Sequence, residues 1–158
     1  MKYWLMKTEP EEFSIAELAR KRTEPWSGVR NLVARNHMRA MSLGDGVLFY
    51  HSSCSPPGVA GLARVCAVAH ADATQFDRTS DYFDAKSTPD KPRWDCVDVE
   101  YVETLPSYVS LDDIRAEPAL QDMVVLKFSR LSVQPVEPAE YKRIVAMGRR
   151  KPRASRAK

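Results

Sequence analysis

Residues 47–68 have the sequence VLFYHSSCSPPGVAGLARVCAV, in which two apolar runs flank a turn. The run at 47–50 is short, apolar and aromatic, which is typical of a buried strand. Ser-Pro-Pro-Gly at 55–58 predicts a turn, and residues 59–68 predict a longer strand that returns beside the first. Glycine and alanine recur in this second strand, and such small residues favour a tightly curved or closed sheet.

Upstream of this pair, residues 3–6 predict another strand, and Ser14 with Glu17 predicts a capping box that begins a short helix. Asn31 predicts the cap of a second helix. The apolar spacing of that helix predicts which side chains face the core. They are Leu32, Met38 and Met41.

Downstream, residues 72–92 form a polar, turn-rich segment, and Tyr82 and Phe83 within it favour docking onto the body over disorder. Residues 94–102 alternate as a half-buried strand. Pro138 predicts the start of a last helix, and Gly148 its end. Short strands with helices between them predict an α+β fold, built as a curved sheet or a small barrel.

The chain has 158 residues and a net charge of +3, with 44% hydrophobic and 28% charged residues. This composition predicts one globular domain, which we place at residues 1–147, and a basic tail at 148–158 that we expect to be flexible. The tail contains no acidic residue, and the remainder of the chain is net acidic. A cationic tail adds attraction to phosphate backbones, although solubility alone could also explain it.

Several functional classes lack their sequence signals. There is no Gly-x-Ser-x-Gly elbow and no glycine-rich phosphate loop, so we expect no enzyme and no cofactor. The three histidines are isolated and the three cysteines have no Cys-x-x-Cys spacing, so we expect neither a metal nor a disulfide framework. No apolar run approaches the length of a membrane span, which predicts a soluble protein without a membrane partner.

The residues at the turns are more typical of a binding pocket for a flat polar ring than of these functional classes. A base pulled out of its stack needs aromatic faces beside it, hydrogen-bonding groups at its edge and cations near its phosphates. Taken singly, Trp26 after Pro25 is often a packing anchor, and a strand residue such as Tyr50 is more often part of a core than of a pocket. The predicted faces are Trp26, Tyr50 and Trp94, the predicted edge groups are Asn31, Ser52 and Thr8, and the predicted cations are Lys7, Arg30, Lys86 and Arg93.

Eight short segments of the chain resemble the EVE domain of the thymocyte nuclear protein family. Together they span almost all of residues 2–147, which makes the resemblance specific. The segments are YWLMKTEP (3–10), WSGVRN (26–31), ARNHMR (34–39), GD (44–45), FYHS (49–52), FD (76–77), PRW (92–94) and RLSV (130–133).

The resemblance implies a PUA-like fold, which is a strongly bent small β-barrel flanked by short helices and is related to YTH and ASCH domains. It also implies a non-catalytic module that reads a modified nucleobase in an aromatic cage. The candidate ligands that it implies are a modified cytosine in DNA or a modified base in RNA. The pocket residues that it implies are Trp26, Asn31, Tyr50, Ser52 and Trp94, with Lys7, Thr8, Arg30, His51 and Arg93 at the rim. The residues expected to contact the nucleic-acid backbone are Arg35, Arg39, Lys86, Arg149, Arg150, Lys151 and Arg153.

The chain has no long basic N-terminal extension, so it is similar to the compact bacterial members. This similarity implies a cytoplasmic location, or a nuclear one in a eukaryotic source.

Two other functions remain open at this point. One is a protein or enzyme that binds a small nucleoside-like or anionic metabolite through Arg30, His51 and Arg93. The other is a protein-interaction module whose contact surface is the segment 72–92.

Overall fold

A computed structural model describes residues 1–150, so the part of the predicted tail that contains Lys151 and Arg153 lies outside the described residues. Within the described range the chain forms six strands and four α-helices. The strands are β1 (Tyr3–Thr8), β2 (Thr23–Pro25), β3 (Gly46–His51), β4 (Gly58–Ala71), β5 (Asp95–Ser110) and β6 (Val133–Val136), and the helices are α1 (Ile15–Lys21), α2 (Leu32–Arg39), α3 (Leu111–Ala116) and α4 (Pro138–Arg149).

The strands form one mixed sheet in the order β2-β5-β4-β3-β1-β6, so the α+β class is confirmed. β1 and β3 are parallel, and every other neighbouring pair is antiparallel. The sheet is not closed into a complete barrel, because the described sheet ends at β2 on one side and β6 on the other. Both edge strands are short and contain a proline, Pro25 and Pro135, which lacks the N–H that a further strand would need.

The small residues of β4 allow close packing around the long hairpin β4–β5. Its register shifts at four places, and such irregularities bend a sheet. A Cβ atom on Gly61 would lie 2.5 Å from Cδ1 of Ile15 and 2.7 Å from the carbonyl oxygen of Glu103. Glycine at this position therefore lets α1 and β5 lie against the β4 backbone.

The sheet has a hydrophobic core on each face. Phe49 belongs to the core that also contains Trp26 and Met38, whereas its neighbour Tyr50 belongs to the second core, with Leu5 and others. Successive side chains of a strand point to opposite faces, so the core that contains Tyr50 lies on the other face of the sheet from Trp26.

The helix starts follow the predicted caps. The hydroxyl of Ser14 accepts a hydrogen bond from the Glu17 amide at 3.2 Å, and the Asn31 side chain accepts one from the Ala34 amide at 2.9 Å. Met38 and Met41 are buried as predicted. The prediction that Leu32 faces the core is wrong, because this residue is 51% exposed. The buried stripe of α2 runs through residues 34, 38 and 41, and Leu32 at its first position falls off that stripe.

The predicted docking of residues 72–92 is confirmed. The segment contains a 3-10 turn, Ala73–Phe76, and its Gln75 side chain is fully buried. The Gln75 amide nitrogen donates to the carbonyl oxygens of Asp72 and Trp94 at 2.8 and 2.7 Å, and its oxygen accepts from the Arg93 and Trp94 amides at 3.0 Å each. One buried amide thus joins both ends of the segment to the body.

α4 continues one residue beyond the predicted stop at Gly148. A Cβ atom there would lie 2.5 Å from Cδ1 of Leu105, so this glycine permits close packing of the helix on β5. Among the helices of residues 1–150, none combines the length and the apolar character that a bilayer crossing requires.

Candidate functional site

A pocket of about 470 Å³ opens where the end of β1 meets the segment between β2 and α2. The pocket brings together five of the residues predicted from the sequence, and it adds acidic, aromatic and serine side chains that sequence reasoning did not select. The five are Lys7, Thr8, Trp26, Arg30 and Ser52, and the additions that matter below are Glu12, Phe13, Glu24, Ser129, Arg130 and Tyr82.

Trp26 lines the pocket while only 7% of its surface is exposed. Its ring meets Phe49 edge to face, with centroids 5.5 Å apart, and its backbone amide donates to the Val97 carbonyl at 2.8 Å. A buried ring that packs on Phe49 and whose backbone is hydrogen-bonded to β5 presents a fixed, partly apolar surface to a ligand in the pocket.

The rim after Trp26 depends on the buried carboxylate of Asp72. This carboxylate accepts hydrogen bonds from the Gly28 amide at 2.7 Å and from the Arg30 guanidinium at 3.2 Å. Burial raises the pKa of Asp72, but hydrogen bonds from Thr74, Gly28 and Arg30 outweigh burial and hold the pKa below its usual value. Gly28 has φ of 84°, a left-handed conformation that glycine adopts without strain.

Tyr82 also belongs to the rim, beside Gly28 and Arg30. Its ring packs on Gly28, where a Cβ atom would lie 2.8 Å from the ring, and 38% of its surface is exposed. Arg30 donates to the Tyr82 carbonyl at 2.7 Å and lies 5.6 Å from its ring centroid. The sequence showed that this loop docks, but not where, so Tyr82 was not selected as a site residue.

Charges of both signs surround the opening. The Lys7 ammonium donates to the Ser129 carbonyl at 2.8 Å, and burial lowers the pKa of Lys7. Arg130 is exposed and, within residues 1–150, forms no ion pair. Glu12 and Glu24 add carboxylates, of which Glu24 pairs with Lys21. The pocket therefore offers acceptors to an amino group and cations to a phosphate.

Of the three predicted ring faces, only Trp26 lines this pocket. Tyr50 is buried in the second core, where burial raises its pKa to about 12. Trp94 is also buried, and its indole N–H donates to Asp84 at 2.8 Å. Three guanidinium groups lie 5.3 to 5.9 Å from the Trp94 ring centroid, and they belong to Arg30, Arg35 and Arg93.

Two other predicted pocket residues have structural partners. His51 accepts a hydrogen bond from the Ile15 amide at its Nε2 atom, at 3.2 Å, and burial lowers its pKa. Asn31 caps α2 and lines a second hollow of about 650 Å³ beside the pocket. Neither residue lines the first pocket, whereas Ser52 and Thr8 do, and the Ser52 amide donates to the Thr8 carbonyl at 2.9 Å.

Two of the predicted backbone-contacting cations, Arg39 and Arg149, and the predicted rim cation Arg93 are ion-paired within the protein. The pairs are Arg93 with Asp84, Arg39 with Asp95 and Arg149 with Glu103, while Arg35 donates to the Arg93 carbonyl at 2.8 Å. Lys86 and Arg150 are exposed. Exposed ion pairs contribute little stability, so such cations can exchange a carboxylate for a phosphate at small cost.

His70 is not isolated, as the sequence had suggested, because it lies beside Cys96 and Asp98. Their ligand atoms all fall within 4.8 Å of one another. Burial raises the pKa of Cys96 to about 12, and the thiolate is the form that binds metals. His70 Nε2 already pairs with Asp98 at 2.9 Å, so this trio is poorly suited to hold an ion.

Comparisons with known proteins agree with this architecture. A solved structure from Leishmania major is 50% identical and superimposes with a TM-score of 0.91, covering 94% of each chain. The human THYN1 protein, solved in complex with 5-methylcytosine-containing DNA, is 36% identical with a TM-score of 0.91, and the match covers 96% of this chain and 100% of that one. The fold is therefore PUA-like, as the resemblance implied.

Sequence comparisons give the same result. Human thymocyte nuclear protein 1 is 37% identical over 169 residues, which cover 95% of this chain and 75% of the human one. The profile of the EVE domain matches residues 2–147, which is nearly all of the described chain. On both grounds, the chain belongs to the EVE domain family.

Proposed function

We propose that this chain binds nucleic acid that carries a modified base, without catalysing a reaction, and that 5-methylcytosine in DNA is its leading ligand. The observation that carries the proposal is one pocket lined by both Trp26 and Tyr82, with Lys7 and Arg130 at its opening. The complex of the human relative with 5-methylcytosine-containing DNA supports the choice of ligand.

The dimensions and walls of the pocket suit a single extruded base. Its volume of about 470 Å³ lies in the ordinary range for small-ligand sites. Trp26 and Phe13 supply apolar surface, and Tyr82 supplies an exposed ring at the rim. Transfer of the methyl group at C5 of cytosine from water to such apolar walls is favourable and therefore strengthens binding.

The carboxylates favour a base that bears an exocyclic amino group. Glu12 and Glu24 line the pocket, and carboxylate oxygens accept hydrogen bonds from the N4 amino group of cytosine. Thymine and uracil offer no such donor at that edge. This arrangement supports cytosine over the other pyrimidines.

Binding without catalysis agrees with the side chains at the site. Among the described lining residues there is neither a histidine nor a cysteine, and the Nε2 atom of the nearby His51 is occupied by the Ile15 amide. Among the described residues, no serine or threonine hydroxyl of this lining is hydrogen-bonded to a histidine, lysine or carboxylate side chain, as an activated nucleophile would be.

Titration of short oligonucleotides with one cytosine or one 5-methylcytosine, at two salt concentrations, tests the proposal. We expect the methylated strand to bind about fourfold more tightly, from burial of one methyl group, and both affinities to fall with salt. Equal affinity for the two strands would contradict a reader of this modification. Equally tight binding of the free nucleoside would favour a metabolite site instead.

A pair of matched substitutions locates the site. Tyr82→Ala removes an exposed ring from the pocket rim, and we expect it to lower affinity for the methylated strand about tenfold, the value of one lost stack. Phe83→Ala removes an adjacent ring that is equally exposed but does not line the pocket, so it should bind as the parent does. Equal effects of the two substitutions would place the base elsewhere.

A further inference from the structure

The second hollow lies directly beside the proposed base pocket. Ser129 and Arg130 line both, so this two-residue segment separates them. The walls of the second hollow include Val33, Phe128 and Pro135, which are apolar. The proposed pocket is therefore continuous with an apolar surface on the far side of Ser129 and Arg130.

Phe128 is the most exposed aromatic residue in the described chain. Its surface is 59% exposed, compared with 38% for both Tyr82 and Phe83. Burial of an exposed aromatic ring against another flat apolar surface is favourable, because it removes apolar surface from water.

The backbone that carries Phe128 is held firmly. Its amide donates to the Val124 carbonyl at 2.9 Å, and its carbonyl accepts from the side chain of Gln134 at 3.0 Å. Gln134 is 1% exposed and also donates to the Leu131 carbonyl at 2.8 Å. The ring thus projects from a fixed support, which lowers the entropy that ordering would cost on binding.

Cations flank this ring along the chain. Lys127 has one weak partner, Asp122 at 3.8 Å, and both of these side chains are largely exposed. Arg130 forms no ion pair within residues 1–150. Both cations are available to phosphates on either side of an inserted ring.

We propose that Phe128 is a wedge that enters the base stack of duplex DNA at the position that the extruded base leaves. The inference rests on the proposed function, since it requires a base in the neighbouring pocket. Extruding a base leaves an unstacked gap, and apolar side chains such as phenylalanine insert between base steps in other DNA-binding proteins. Filling the gap favours the extruded state.

Affinities of Phe128→Ala for a duplex and for a single strand, each with one 5-methylcytosine, test this role. A single strand has no stack to fill, so its affinity should stay within about twofold, whereas duplex affinity should fall about tenfold. Phe128→Leu should lose less, and Phe83→Ala should bind both as the parent does. Because the side chain is exposed, retained single-strand binding also reports an intact fold.

A second readout is the fluorescence of 2-aminopurine placed next to the methylated base in the duplex. We expect the parent protein to alter this signal and Phe128→Ala to alter it less.

Equal losses of affinity for the duplex and the single strand in Phe128→Ala, or no loss for either, would overturn the wedge while leaving the proposed function intact. A parent protein that ignores methylation on single strands would instead refute the proposed function, and the wedge with it.

Discussion

His51 shows how a residue selected for a binding site can have a structural role. Its Nε2 atom accepts the Ile15 amide, which joins the end of β3 to the first turn of α1. That hydrogen bond requires an unprotonated Nε2, so the ring must be neutral in the folded protein. Burial lowers the pKa of His51, which agrees with this requirement.

We therefore expect the free energy of unfolding to fall as the pH drops from about 7.5 to about 5.5. In the unfolded chain this histidine binds a proton with a pKa of about 6.5, whereas in the folded protein His51 binds the proton less readily, so acid favours the unfolded chain. Urea denaturation at both pH values measures this loss. In His51→Gln, whose side-chain carbonyl can still accept the hydrogen bond, the loss should be smaller. Burial also lowers the pKa of His37, so His37→Gln should reduce the loss independently, and the two substitutions together should reduce it more than either alone. An unchanged loss in His51→Gln would contradict this origin.

Residue-level prediction from the sequence succeeded where the signal was local. The caps at Ser14 and Asn31 follow from side chains that bond to amides three residues away. The position of Tyr50 away from Trp26 could not be predicted, because both faces of the sheet are buried and alternation alone does not tell which core each ring joins. Trp94 follows a long loop, and its neighbours depend on how that loop docks.

At the scale of elements, the segment between β4 and β5 shapes the proposed pocket. Asp72 connects the start of this segment to Gly28 and Arg30, while the Tyr82 carbonyl accepts from the same guanidinium. Neither contact follows from periodicity, because the partners are more than forty residues apart. The sequence could thus predict that the loop docks but not that Tyr82 joins the rim.

Replacing Asp72 with asparagine should lower the free energy of unfolding by about 2 kcal/mol. Asparagine has no charge and only one acceptor oxygen, so at this fully buried site it cannot accept all the hydrogen bonds from Gly28, Thr74 and Arg30. The same variant should bind methylated DNA less tightly as the rim loosens. Chemical denaturation and DNA titration measure the two effects.

Asp77→Asn is the matched control for Asp72→Asn. Asp77 makes a similar pair of hydrogen bonds with Thr79, at 2.9 Å from its amide and 2.7 Å from its hydroxyl, but it lies in solvent. Its replacement should leave both stability and DNA affinity near those of the parent. Equal losses in the two variants would show that Asp72 does not organise the pocket.

At the scale of the whole molecule, charge is distributed unevenly. Basic and acidic side chains nearly cancel over residues 1–150, whereas residues 151–158 hold basic and no acidic side chains. Long-range attraction to DNA is therefore expected to come in large part from the end of the chain, and base selection from the pocket.

Replacing Arg150, Lys151 and Arg153 together with serine should reduce the slope of log affinity against log salt by up to about 0.9 for each duplex phosphate that the protein no longer neutralises. The ratio of affinities for methylated and unmethylated DNA should not change. Lys142→Ser, which removes one exposed cation from α4, serves as the control. A changed ratio with an unchanged slope would reverse the assigned roles.

The position of β1 between β3 and β6 has a consequence for biosynthesis. β1 is translated before the other described strands of the sheet, but its partner β6 is translated after all of them. Until β6 arrives, nascent chains expose one hydrogen-bonding edge of β1, where strands of other chains can add. Premature termination before Val133 should therefore yield products that aggregate, and their clearance depends on chaperones and proteases.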